Sequence, residues 1–167
     1  MQGTIVGPPL ARGLKAMFGN DNVAVQGVDY AAALSTNFGP NNADPRGVAE
    51  MKSLLMQAST KCPDTVIVAG GYSQGAAVTH AAMADLPPQV LNQVAGVAMF
   101  GDTRNKQENG MIAGYPAAQT KVICNAGDPV CSGTLTINAA HLAYGARTDE
   151  GADFLGKMIQ AAGVAPQ

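Results

Sequence analysis

Three residues far apart in the chain have the types that acyl transfer requires: a serine at 73, an aspartate at 128 and a histidine at 141. Ser73 stands in Gly71-Tyr72-Ser73-Gln74-Gly75, after the apolar run Val66-Ile67-Val68-Ala69 and before Ala76-Ala77-Val78. Small residues on both sides let a strand turn sharply into a helix. The hydroxyl then projects from the carboxyl edge of a sheet, above the positive end of a helix dipole. The pentapeptide recurs by chance in many proteins, so the flanking strand and helix supply most of its specificity. A serine serving only as helix N-cap is the bland alternative, and it leaves the downstream residues unexplained.

A serine nucleophile needs a base and a group to orient that base, in the chain order serine, acid, histidine. The chain has two histidines. His80 lies about two helical turns beyond Ser73 on the same helix, too far for its ring to fold back, and is expected at a surface or packed helix position. His141, in Asn138-Ala-Ala-His141-Leu-Ala-Tyr144-Gly145, falls in a loop of the kind that displays catalytic groups. Asp128 has the best context for the acid, in Asn125-Ala-Gly-Asp128-Pro-Val-Cys131 after the run Lys121–Cys124. Asp85 and Asp102 also lie between serine and histidine and are expected as solvated element ends. Cys124 and Cys131 bracket Asp128 at a spacing compatible with a local disulfide, worth about 2 to 3 kcal/mol by loop entropy. A zinc site is not expected there, since three or four N/S ligands are not at hand in sequence.

Together, Gly70-Gly-Tyr-Ser-Gln-Gly75, Cys124-Asn-Ala-Gly-Asp-Pro-Val-Cys131 and His141-Leu-Ala-Tyr-Gly145 resemble the signature blocks of the fungal cutinases. The likeness extends to Gly27, Pro45-Arg46-Gly47, Lys61-Cys62-Pro63-Asp64 and Phe100-Gly101, nearly the whole chain. It implies a three-layer α/β/α fold, an α/β-hydrolase with a central, mostly parallel sheet and no lid, forming a single domain over residues 1–167. It also implies a secreted esterase acting on cutin and on short-to-medium chain esters. By position, Ser73 is the nucleophile, Asp128 the orienter, His141 the base and the Gln74 amide one oxyanion donor. Leu34, Leu135 and Ile137 match an apolar crevice rim and Tyr72 its flank, although plain core packing is the competing explanation. An exposed aliphatic rim would let the protein sit on an insoluble polyester.

In the family a second oxyanion donor comes from a serine in a loop after the sheet's first strand. The opening Met1-Gln-Gly-Thr-Ile-Val-Gly-Pro-Pro resembles the segment just after that loop, so a truncated family member is expected. Cys62 would then be left odd, an interior sheet position would leave two strands with unpaired backbone groups, and Asn37 would have nothing to brace. Loss of one oxyanion donor costs on the order of 100-fold to 1000-fold in turnover.

The elements that must position these groups follow from periodicity. Asp21–Val28, Thr65–Ala69, Val94–Phe100 and Thr120–Cys124 are predicted strands, alternating with helices, which argues for a parallel sheet. Leu10, Leu14, Met17 and Phe18 recur at helical spacing, as do Val48, Met51, Leu54, Leu55 and Ala58. The second helix should start at Asp44 as N-cap with Pro45 at its first position and carry Lys61 in its last turn. A final helix is predicted after Asp149-Glu150, with Phe154, Leu155, Met158, Ile159 and Ala162 on one side. Asn37–Pro45 is expected as a surface loop on one wall of the crevice.

The length suits one domain, and 47% apolar residues can fill one core. A net charge of −2 and scattered basic residues offer no case for nucleic acid. No apolar run approaches a membrane span. No secretory leader is visible, yet the cysteines and the resemblance favour an extracellular protein. A monomer without cofactor or metal is expected. An acetylxylan esterase and a catalytically silent binder of lipid or polyester are the alternative functions.

Overall fold

The computed structural model describes residues 3–167. The elements run α1 (Gly7–Phe18), α2 (Pro45–Lys61), β1 (Ile67–Tyr72), α3 (Gln74–Ala84), α4 (Pro88–Gln93) and β2 (Val94–Phe100). They continue with α5 (Asn105–Glu108), β3 (Thr120–Ile123), α6 (Ala139–Leu142) and α7 (Thr148–Ala161), and short 3-10 turns join several of them.

β2 is apolar from Val94 to Phe100 and buried along its whole length, as befits a strand covered on both faces. It pairs in parallel with β1 on one side and β3 on the other. Side-chain alternation along β2 feeds two cores. Val97 and Met99 join the layer of α2 and α3, with Met51, Leu55, Val78 and Met83. Ala98 and Phe100 join the layer of α1 and α7, with Leu14, Phe18 and Leu155. Helices therefore cover both faces of a parallel sheet, the expected three-layer α/β arrangement.

The predicted helix signals hold. The Asp44 carboxylate accepts the Arg46 N–H at 2.9 Å and Pro45 opens α2. Lys61 falls in its last turn, while Asp149 and Glu150 fall in the first turn of α7, where the dipole favours each sign. α3 is buried nearly all round, so it sits inside the molecule and not on an amphipathic surface.

The predicted strand at Asp21–Val28 does not form. Residues Asn20–Asn22 make a 3-10 turn, residues 23–29 join no ladder among the described residues, and Val25 is 40% exposed. A lone strand is not stable by itself, and this segment pairs with none of the three strands, leaving β1 an edge strand paired only with β2. Asn37–Pro45 is not a plain surface loop either: it coils into 3-10 turns with Asn37, Ala43 and Asp44 buried. Cys62 is free and exposed.

Candidate active site

β1 ends at Tyr72 and α3 begins at Gln74, so the whole change of direction falls on Ser73. Its backbone pays with φ +56° and ψ −121°, a sparsely populated region costing about 1 to 3 kcal/mol. The Ser73 N–H donates to Phe100 O at 2.9 Å, which ties the turn to β2. Gly71 makes the turn possible, since a Cβ there would lie 2.2 Å from Gly75 O. At Gly75 itself a Cβ would meet nothing nearer than Tyr30 Oη at 3.9 Å, so the steric need for glycine rests on Gly71. The Ser73 hydroxyl makes no capping bond to α3. It lies instead 2.9 Å from His141 Nε2, which removes the simple N-cap explanation.

The other nitrogen of His141, Nδ1, lies 2.9 Å from Asp128 Oδ2, and both residues are buried. Serine, histidine and aspartate are thus in line. Asp128 sits in the turn after β3, closed by the Cys124–Cys131 disulfide, and its Oδ1 accepts the Val130 N–H at 3.0 Å. Burial pushes the Asp128 carboxyl up, but hydrogen bonds from Tyr144, His141 and Val130 outweigh it and hold the group below the ordinary carboxylate value.

Several side chains stitch the acid turn to the histidine segment. Asn138 caps α6 by accepting the His141 N–H at 3.0 Å, and its amide donates to Gly127 O at 2.9 Å. Asn125 donates to Ala140 O at 2.7 Å, and Arg147 donates to Cys124 O at 2.7 Å. The Tyr144 hydroxyl donates to Asp128 Oδ2 at 2.6 Å. Burial, and then this bond, raise the Tyr144 phenol above its ordinary value. Gly101, after β2, adopts φ +52° and leaves room for the rings, since a Cβ there would lie 2.7 Å from Tyr144 and 3.0 Å from His141. Asn138 and Tyr144 stand three residues to either side of His141 in the sequence, the nearest signal for these supports.

Ser73 opens on a crevice of about 150 Å³. Leu34, Leu135 and Ile137 line it, as expected of a rim, and Phe38, Thr103 and Val130 join them. Leu34, Phe38 and Ile137 are exposed to 66, 80 and 48%, so an apolar lip faces solvent. Tyr72 is not part of that lining. Its ring stacks on His141 at 5.3 Å between centroids and its hydroxyl donates to His141 O at 2.6 Å.

Gln74 begins α3, and the first amides of a helix have no intrahelical partner. Its buried side chain donates through Nε2 towards Ala33 O, Thr36 Oγ1 and Asn37 Oδ1, at 3.0, 2.9 and 3.1 Å. Asn37 therefore does have a group to brace, the elbow's own glutamine. Two further expectations need correction or refinement. Asp102 is no solvated terminus: it is fully buried, 2.8 Å from Nε2 of the buried His80. Asp85 does stand at the surface and pairs with Lys52. Among the described residues no cluster of three or more His, Cys, Asp or Glu could hold a metal, and no helix is long and apolar enough to cross a membrane.

The Cutinase family model matches residues 2–159. The chain is 47% identical over 160 residues to probable cutinase 1 of Aspergillus niger, covering 95% of this chain and 61% of that protein. It is 48% identical over 142 residues to cutinase 1 of Fusarium vanettenii, covering 84% and 62%. The chain thus spans about three fifths of the length of these curated relatives. A solved Trichoderma reesei cutinase, in complex with a C11Y4 phosphonate inhibitor, superposes with a TM-score of 0.79 at 29% identity, covering 94% of this chain and 69% of that one. An acetylxylan esterase matches at TM-score 0.70 and 22% identity, covering 92% of this chain and 89% of that one, a likeness of fold alone. With a family model that spans nearly all of its residues, the chain belongs to the cutinase family.

Proposed function

We propose that this chain is a serine esterase of the cutinase type, hydrolysing carboxylic esters through an acyl-enzyme intermediate. The observation that carries this is the unbroken line from Asp128 Oδ2 through His141 to Ser73 Oγ, with 2.9 Å at each step, opening on an apolar crevice. Ser73 Oγ attacks the ester carbonyl while His141 Nε2 takes its proton, and Asp128 holds Nδ1 protonated and stabilises the imidazolium. The Gln74 amide donates to the carbonyl oxygen as it becomes an oxyanion. His141 returns the proton to the departing alcohol. It then deprotonates a water that attacks the acyl-serine, and the acid leaves. Turnover depends on the unprotonated form of His141, which must be free to take the serine proton.

The exposed aliphatic lip of Leu34, Phe38 and Ile137 supports acyl or polyester chains, cutin among them, over acetylated sugars. The Cys124–Cys131 disulfide supports an oxidising, extracellular setting. In this proposal residues 1–167 act as one domain and as a monomer, with no cofactor. Hydrolysis of p-nitrophenyl butyrate by the full chain tests it. Ser73→Ala should reduce turnover to background, and butyrate should be preferred to acetate. Turnover unaffected by Ser73→Ala overturns the esterase, acetate preference points to an acetylxylan esterase, and no turnover by the intact chain points to a silent binder.

A further inference from the structure

Asp128 Oδ2 serves two donors at once. His141 Nδ1 lies 2.9 Å from it and the Tyr144 hydroxyl 2.6 Å, while Oδ1 is taken by the Val130 N–H. The direction of the Tyr144 proton is fixed, because the phenol oxygen accepts the Asn125 N–H at 2.9 Å and its own hydrogen is left for the carboxylate. Cys131 Sγ, 3.7 Å from that oxygen, is a disulfide sulfur with no proton to offer in its place. The ring is wholly buried, with centroids 5.7, 6.1 and 6.3 Å from those of Tyr72, His141 and Phe100. A phenylalanine would fill the same space, so packing does not explain the hydroxyl.

A donor on the same carboxylate oxygen spreads its charge and weakens its hold on the imidazolium. We propose that Tyr144 is a positioning residue of the triad, its hydroxyl sharing Asp128 Oδ2 with His141 Nδ1 and so weakening the carboxylate's hold on the imidazolium. The effect on turnover rests on the esterase reading, while the effect on His141 does not. The groups facing this cluster are Asp128 and Arg147 beside Tyr144, Ser73 and Tyr72 beside His141, and Asp102, paired with His80, just beyond Gly101. None of these others reaches Asp128 Oδ2 with a proton among the described residues.

The test uses the full chain labelled with ¹⁵N-histidine, titrated by NMR, with His80 as internal reference, and in parallel the pH profile for p-nitrophenyl butyrate. Tyr144→Phe removes the donor, and 3-fluorotyrosine at position 144 strengthens it without changing the fold of the ring. The His141 midpoint should rise by about half a unit to one unit in Tyr144→Phe and fall with 3-fluorotyrosine, the acidic limb of kcat/KM moving with it. His80 should stay in place. A His141 midpoint unmoved, or moved in the same direction by both changes, overturns the proposal and leaves Tyr144 a packing residue. Should Tyr144→Phe fail to fold, the fluorotyrosine protein decides alone: a downward shift supports the assignment and no shift overturns it. Opposed shifts without ester turnover would uphold Tyr144's role and defeat the esterase reading.

Discussion

His141 and His80 each meet a buried aspartate at almost the same distance, 2.9 Å to Asp128 and 2.8 Å to Asp102, yet they present opposite nitrogens to it. His141 binds its acid through Nδ1 and turns Nε2 to Ser73 Oγ. His80 binds through Nε2 and buries Nδ1 with no partner among the described residues. The surroundings differ as well. Asp128 receives hydrogen bonds from two other residues, Tyr144 and Val130, in a turn closed by a disulfide, whereas Asp102 receives one, from the Arg104 N–H. A buried histidine–aspartate pair is therefore no mark of catalysis by itself. What distinguishes the catalytic candidate is a second nitrogen aimed at a strained serine beside an open crevice.

The largest expected contrast between the pairs is in turnover. Asp128→Asn should lower kcat for p-nitrophenyl butyrate by about 10⁴-fold, the size that a misplaced histidine proton costs in serine hydrolases. Asp102→Asn should leave kcat within a few-fold, and a comparable loss there would erase the distinction. Stability should invert the ranking. His80→Ala strands a buried carboxylate and should cost about 3 kcal/mol in urea unfolding, with turnover of the folded protein largely kept. The double change His80→Leu and Asp102→Leu should recover much of that loss, because a well-packed apolar pair replaces a buried polar one at little cost. Abolished turnover in folded His80→Ala would move this pair into the active site.

The smallest expected effect is on acid stability. Folding lowers the Asp128 carboxyl, burial opposing and the bonds from Tyr144, His141 and Val130 prevailing. The unfolded chain therefore takes up the proton first on acidification. The stabilisation is complete above the ordinary carboxylate value of about 4 and fades as pH falls through the lower folded value. Melting followed by circular dichroism between about pH 5 and pH 3 should show a fall in Tm that is shallower in Asp128→Asn. Equal slopes in the two proteins would mean that other carboxylates, Glu150 beside Arg147 and Lys121 among them, govern the acid limb.

Features written within a few neighbouring residues could be recognised in the sequence. The elbow needs glycine at 71 and a short apolar run on either side, the Asp44-Pro45 start of α2 needs only a cap and a ring-fixed φ, and the 124–131 turn needs two cysteines within reach. β2 shows itself as seven consecutive small or apolar residues, Val94 to Phe100. Other features depend on which surfaces meet. Asp21–Val28 carries a strand-like pattern but pairs with no strand among the described residues, so it stays out of the sheet. Asp102 reads as a polar residue after a strand, and only the packing of α3 over β2 puts His80 against it. Asn37 finds Gln74, and Tyr72 stacks on His141, through contacts between segments far apart in sequence.

The sequence by itself determined the residues able to do the chemistry, their order and the local turns that display them, because caps, turns and apolar periodicity act over three or four neighbours. The tertiary structure alone decided that Ser73 and His141, separated by 68 positions, stand 2.9 Å apart, that the second histidine pair faces the core, and that Tyr144 shares the oxygen of Asp128. Those outcomes depend on how two layers of helices close over a parallel sheet, and burial then selects which polar groups must find one another.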